Sequence, residues 1–325
     1  MRGLAALFLG LAGFAILWWL RQTTAETSLS LPGAVQDGLT LGLSVLIESI
    51  PFIVLGIALS VLVQVWVPQH WLMRILPRHP LPRRFVISIL GMFLPVCECG
   101  NVPLARGLIS RGYSVSDSMT FLLAAPIVNP VTIITTHQAF GFDDGILVAR
   151  LAGALLIANL LGWLFSRHPS PEDLLTDRFA ASCQVEHNEL GTGKIARSLE
   201  MFLRESSALM PALIIGSIVA GAIQMIVSRD LLVALGTDPL LSVLSMMLLA
   251  FVISICANVD SFFILPFADT FLPGSLVAFL LLGPIVDVKM LALMRTTFRA
   301  STLAWMTVLV ASITAAIGMG VNLVA

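Results

Sequence analysis

The chain has 325 residues, 58% of them apolar and 11% charged, with 18 Lys and Arg against 19 Asp and Glu, a net charge of −1 and a mean hydropathy of +0.97. A soluble domain carries about a quarter charged residues, so this chain lacks the polar surface that water demands and its solvent is lipid. The even charge balance supplies no field for attracting nucleic acid, and the four cysteines, Cys97, Cys99, Cys183 and Cys256, form no disulfide framework.

In chain order, the first apolar run is Gly3–Leu20. It follows Arg2, as a signal sequence would, but it is long for a signal core, ends on Trp18 and Trp19, and lacks a small-x-small cleavage site. It predicts a retained N-terminal transmembrane helix over residues 1–22. A membrane helix needs about 20 apolar residues, and 38–66, 117–138, 145–166, 203–228, 275–293 and 300–322 meet that requirement. Two stretches, 85–112 and 240–270, are apolar but interrupted. Pro95-Val-Cys-Glu-Cys-Gly-Asn-Val-Pro103 breaks the first; Cys256-Ala-Asn-Val-Asp-Ser261 and Pro266 break the second. Residues 167–198 are polar and Pro/Gly-marked, the one obvious linker.

The segments on either side of that linker repeat each other. Glu48 and Glu205, each followed by a Ser and then a Pro, are 157 residues apart; Cys97 and Cys256 are 159 apart; Pro126-Ile-Val-Asn129 and Pro284-Ile-Val-Asp287 are 158 apart. Three matches at a near-constant offset predict an internal duplication, with repeats over 38–166 and 199–325. Basic residues favour the cytoplasmic side of a membrane. If 85–112 is a re-entrant hairpin, fifteen of the 18 basic residues fall on that side, and only Arg21, Arg150 and Arg229 fall outside. Each repeat then holds three crossings plus a hairpin, so the second copy is inverted. The expected fold is an all-α polytopic membrane protein of two inverted repeats plus the N-terminal helix, with a cytoplasmic N-terminus and a cytoplasmic linker. Interrupted helices at matching positions of inverted repeats mark the binding sites of transporters.

Non-helical backbone at membrane depth is tolerated where it is buried in protein or lines a wet cavity. Cys97, Glu98, Cys99 and Asn101 lie on such a segment, and Cys256, Asn258 and Asp260 lie on its counterpart. Three thiols converging there would suit a soft species such as trivalent arsenic or a thiophilic metal; as small buried hydrophobes they would equally fill space. A lone C-x-C pair is no structural zinc signature, and no resident metal is expected. Intramembrane charges are functional candidates by default. Glu48, Asp260, Asp287 and Lys289 are candidates for proton coupling, against the plainer reading that Asp287 pairs with Lys289. Glu205 falls nearer the cytoplasmic edge. Asn129 is the counterpart of Asp287, a fixed polar contact or simply a cap for broken backbone. His137 and His187 read as solvated surface, and Cys183 with Glu186 and His187 as a weak metal candidate in the linker.

LPVCECGNVPLARGLISRGYS, AAPIVNPVT, SICANVDSFF and GPIVDVKML together resemble the predicted-permease family that includes the bacterial organoarsenical (methylarsenite) efflux permeases, from about Gly38 to the C-terminus. The resemblance implies an inner-membrane permease whose functional core is the Cys97/Cys99 segment, Asp260 and Asp287-x-Lys289. Two departures stand out: Glu98 replaces a small hydroxyl residue between the cysteines, and Asn258-Val259-Asp260 replaces an acidic residue before Ala-Asp.

The expectation is a secondary transporter exporting a small solute, with the bilayer and a small-molecule or ion substrate as partners and a homo-oligomer left open. No G-x-x-x-x-G-K-[ST] run occurs and no cofactor is implied, so energy would come from an ion gradient or a partner ATPase. The alternatives are an intramembrane thiol oxidoreductase using Cys97, Cys99 and Cys256, and an assembly or sensor subunit acting through the linker.

Overall fold

The computed structural model describes residues 33–68, 76–77, 79–94, 96–142, 144–186, 193–226 and 239–324. The expected N-terminal helix and His187 lie outside these residues, as do Pro95 and the basic residues Arg2, Arg21, Arg74, Arg78 and Arg229. Helices α1 (Gly33–Trp66), α2 (Pro80–Ile89), α3 (Glu98–Ser110), α4 (Val115–Ala124), α5 (Pro130–Phe140) and α6 (Ile146–Phe165) precede the linker. The linker holds α7 (Asp177–Glu186). Then come α8 (Lys194–Ile226), α9 (Pro239–Ile253), α10 (Asp260–Ile264), α11 (Pro273–Ile285), α12 (Val288–Met294) and α13 (Ala300–Val324). Gly38–Ala325 form one compact unit.

Five segments among these residues are long and apolar enough to cross a membrane: Gln36–Trp66, Ile146–Phe165, Lys194–Met225, Pro273–Met294 and Ala300–Val324. Large apolar side chains such as Leu43, Leu55, Ile215 and Trp305 are exposed along them, as lipid-facing surface requires. The protein is an all-α polytopic membrane protein. At a rise of 1.5 Å per residue, α1 and α8 each reach about 50 Å, longer than the ~30 Å hydrocarbon layer.

The unbroken helix expected over 117–138 is two helices, and the one expected over 275–293 is likewise divided. Local chemistry sets both breaks. Asn129, in an extended conformation, accepts the Val131 N–H at 2.9 Å and Pro130 opens α5. Asp287, also extended, accepts the Met290 N–H at 2.5 Å and opens α12. Asn and Asp are strong N-caps, and Pro suits the first helical position.

α11 is buried along nearly its whole length among α6, α9 and α13. Across the two halves of the chain, α3 packs on α12 and α5 on α10. α1 meets α3 at Gly56 and Gly100, where a Cβ on Gly56 would lie 2.4 Å from the Gly100 carbonyl oxygen; small residues permit such backbone approach between membrane helices.

The linker is not a passive loop. Leu174, Leu175 and Phe179 are buried. Leu175 bridges to Phe298, the Thr176 N–H donates to the Thr297 carbonyl at 2.9 Å, and the Arg299 N–H donates to the Leu174 carbonyl at 3.0 Å. α8 begins inside the expected linker, at Lys194.

Candidate functional site

The break before α3 and the break between α9 and α10 bring their side chains together. Cys97 holds the N-cap position of α3, with extended backbone and no side-chain cap, and Glu98 is the first helical residue. A carboxylate there is favoured by the helix dipole. Cys256 lies in the non-helical stretch before α10. The ligand atoms of Cys97, Glu98 and Cys256 lie within 4.8 Å of one another, and all three side chains are buried. The Cys256 thiol donates to Glu98 Oε2 at 3.3 Å, and the Ala257 N–H approaches the same oxygen at 3.4 Å. The Cys97 and Cys256 sulfurs lie within 4.8 Å of each other, and Cys99, two residues on from Cys97, is buried as well.

Lys289 completes the cluster from α12, donating to Glu98 Oε1 at 3.1 Å. Its ammonium also approaches the Ser254 carbonyl at 3.5 Å. Ser254 has φ of +53°, the only positive φ at a non-glycine among the described residues. Such a conformation costs about 1–3 kcal/mol and persists where surrounding structure imposes it, as at binding sites. Lys289 is therefore the partner of Glu98, not of Asp287. One Asp287 oxygen caps α12, and the other, Oδ2, is buried without a hydrogen-bond partner. Asn101, one turn along α3 from Glu98, is fully buried, and both of its amide atoms lack partners. Buried polar groups are normally satisfied, so these three atoms point to a contact that the folded chain does not itself make.

A second buried network lies at the α5–α10 contact. Arg150 of α6, fully buried, donates to Asp260 Oδ2 at 2.5 Å and Oδ1 at 3.1 Å, to Thr136 Oγ1 at 2.7 Å and to Ser261 Oγ at 2.9 Å. Arg150, one of the three basic residues that the sidedness count left outside, is thus buried in protein, where a carboxylate and two hydroxyls take the place of water. Beside this network Thr132 Oγ1 donates to Asn258 Oδ1 at 3.2 Å.

Residues 35–323 match the predicted permease family (ArsP_1). The chain belongs to that family. The permease is 34% identical over 257 residues to the UPF0718 protein YcgR of Bacillus subtilis, covering 79% of this chain and 87% of the relative. It is also 34% identical over 273 residues to a Streptococcus mutans protein whose name proposes it as a two-component membrane permease complex subunit, covering 83% and 89%. The UPF0718 protein YraQ of Escherichia coli is 35% identical over 114 residues, 33% of this chain and 32% of the relative. No solved structure matches the permease.

Of the residues singled out in the sequence, the permease gathers Cys97, Glu98, Cys256 and Lys289 into one buried cluster, and Cys99, next to Glu98 in the chain, is buried too. Asn129 anchors the break before α3, its amide donating to the Val96 carbonyl at 2.8 Å. Glu48 stands apart: it is exposed on α1, though near enough to interact with the charges of Lys289 and Glu98. Glu205 pairs with Arg106 at 2.7 Å. His137 is exposed and stacks on Phe142, and the Cys183 sulfur lies 3.5 Å from the Ser110 hydroxyl. Arg150, Arg106, Thr136, Ser261 and Ser254 were missed as partners. The near-identical spacing of the two halves was the signal for the facing breaks; nothing in the sequence signalled the positive φ of Ser254.

Proposed function

We propose that this permease exports a small thiophilic solute, an organoarsenical or similar soft species, from bacterial cells. In this reading the chain lies in the inner membrane with its N-terminus cytoplasmic. Its two inverted repeats, 38–166 and 199–325, flank a midplane site lined by Cys97, Glu98, Cys99, Asn101 and Cys256. The observation that carries the reading is the closeness of Cys97, Glu98 and Cys256. One broken segment from each half supplies them, and such crossings of broken helices hold substrate in transporters. Thiolates favour soft species. The Lys289 ammonium neutralises Glu98 and occupies the place a cationic cargo would take. Asp260 and Asp287 carry the coupling protons, with Asn129 and Asn258 as fixed polar contacts and Glu48 at the approach. The Streptococcus mutans relative's name suggests that a second subunit assembles with the chain.

The test is methylarsenite accumulation in cells expressing wild type, Cys97→Ser, Cys256→Ser or empty vector, with membrane insertion checked for each. Lower accumulation with wild type alone supports export through the thiol cluster. Equal accumulation in all four removes the thiophilic substrate.

The Cys97 and Cys256 sulfurs, within 4.8 Å of each other, also support a second reading, an intramembrane thiol oxidoreductase in which two of Cys97, Cys99 and Cys256 pass two electrons and two protons to an external two-electron oxidant as a disulfide forms. Alkylation of the thiols before and after mild oxidation distinguishes the two: a turnover-linked loss of two reactive thiols belongs to the second reading only.

A further inference from the structure

A cavity of about 490 Å³ lies at the opposite end of α3 from the thiol cluster. Arg106 and Glu98 are eight residues apart on that helix, about 12 Å along its axis. Arg106 contributes to the floor of the cavity from α3, Arg178 and Phe179 come from the linker helix α7, Arg204 and Glu205 from α8, and Arg295 from the segment after α12. Four guanidinium groups thus face one carboxylate. Glu205 is already engaged, accepting from Arg106 Nε at 2.7 Å and Nη2 at 3.4 Å. The Phe179 ring lies 4.3 Å from the Arg106 guanidinium carbon and holds that side chain in place. Besides the Arg106–Glu205 pair the lining holds three more guanidinium groups, of which Arg204 has an interaction of its own and Arg295 donates through Nη1 to the Phe298 carbonyl at 3.2 Å. Arg178 and Arg295 are exposed at the rim and Arg204 is half-buried.

Charge of one sign around a concave, partly enclosed site concentrates the opposite sign. Guanidinium forks match phosphate oxygens in geometry as well as charge, and basic pockets between membrane helices hold phospholipid headgroups. We propose that this cavity binds a phosphate-bearing anion through Arg178, Arg204 and Arg295, above the Arg106–Glu205 floor. The bound phosphate fastens the linker helix to α8 and to the segment after α12, so docking of the linker responds to the ligand. The inference stands apart from the identity of the transported solute.

The experiment uses the full-length protein. Native mass spectrometry from mixed phosphatidylglycerol and phosphatidylcholine membranes measures retained lipid. Thermal unfolding in a zwitterionic detergent, with and without inorganic phosphate, measures the soluble source. Both are repeated on the triple variant Arg178→Gln/Arg204→Gln/Arg295→Gln, and on Arg178→Gln alone in case the triple variant fails to fold. Preferential retention of phosphatidylglycerol, falling at least about tenfold in the triple variant and several-fold in Arg178→Gln, supports the proposal with lipid as the source. Stabilisation by inorganic phosphate that the same variants lose supports it with a soluble anion as the source. Retention and stabilisation that are absent from wild type, or equal in wild type and variants, overturn it.

Discussion

Arg150 and Asp260 meet 2.5 Å apart at Nη2 and Oδ2, both side chains fully withdrawn from the surface, and they stand on opposite sides of the linker. Removing one member of such a pair strands the other charge in a dry interior, at a cost of about 3–5 kcal/mol, whereas replacing both with apolar residues is often neutral. Arg150→Gln and Asp260→Asn should each lower stability by about that amount in detergent unfolding. Arg150→Met with Asp260→Leu should recover most of it. Single variants as stable as wild type would show that the pair does not hold the α5–α10 contact.

Asp287 serves two separable purposes, capping α12 and, in the proposed mechanism, carrying a proton. Asn is as good an N-cap as Asp, while Ala costs about 0.5–2 kcal/mol. Asp287→Asn should therefore unfold like wild type, and Asp287→Ala and Asn129→Ala should unfold earlier. In vesicles, Asp287→Asn should abolish pH-driven transport. Intact transport in that variant would remove Asp287 from the coupling.

The close approach of α1 and α3 is sensitive to a single methyl group. In Gly56→Ala the new carbon would lie 2.4 Å from the Gly100 carbonyl oxygen, and the helices must separate, at about 1–3 kcal/mol. Gly320→Ala on α13 meets nothing within 4 Å and should be neutral or slightly stabilising, since Ala favours helix by about 0.5–1 kcal/mol over Gly. Thermal unfolding of the two variants side by side checks the contrast.

Phe179 fastens the linker helix by apolar burial and by its ring on Arg106. Phe179→Ala should cost up to about 3–5 kcal/mol locally. Amide exchange of α7 should accelerate while that of α13 is unchanged. Phe179→Leu should restore much of the protection.

The chain's strongest local signals were the readable ones. Apolar length marked the five spanning segments, and the paired Pro-Ile-Val-Asn129 and Pro-Ile-Val-Asp287 motifs marked where helices end, because proline and capping residues act on their own backbone. Partnerships were another matter. Glu98 finds Lys289 at a separation of 191 residues, and Arg150 finds Asp260 at 110, and only tertiary packing decides such pairs. Side-of-membrane counting assigns Arg150 a side and says nothing of whether protein or water surrounds its guanidinium. The docking of the linker was hidden as well: Leu174, Leu175 and Phe179 are too sparse among polar neighbours to announce that they are buried.

Among the described residues, one buried carboxylate stands without an ion pair. Glu98, Asp117, Glu205 and Asp260 each have a cation within 4 Å, while Asp287 has no ion-pair partner among the described residues and one oxygen without a hydrogen bond. When ionised, Asp287 is a buried negative charge with no cation within 4 Å among the described residues. In the proposed mechanism a singly cationic cargo would pair with Asp287 on entry, whereas a neutral cargo would need an accompanying proton. A charge that travels with the moving parts also feels the membrane voltage, at about 2.3 kcal/mol per 100 mV for a full crossing. The cycle would then draw current even for an uncharged solute, and its rate would depend on the voltage across the membrane.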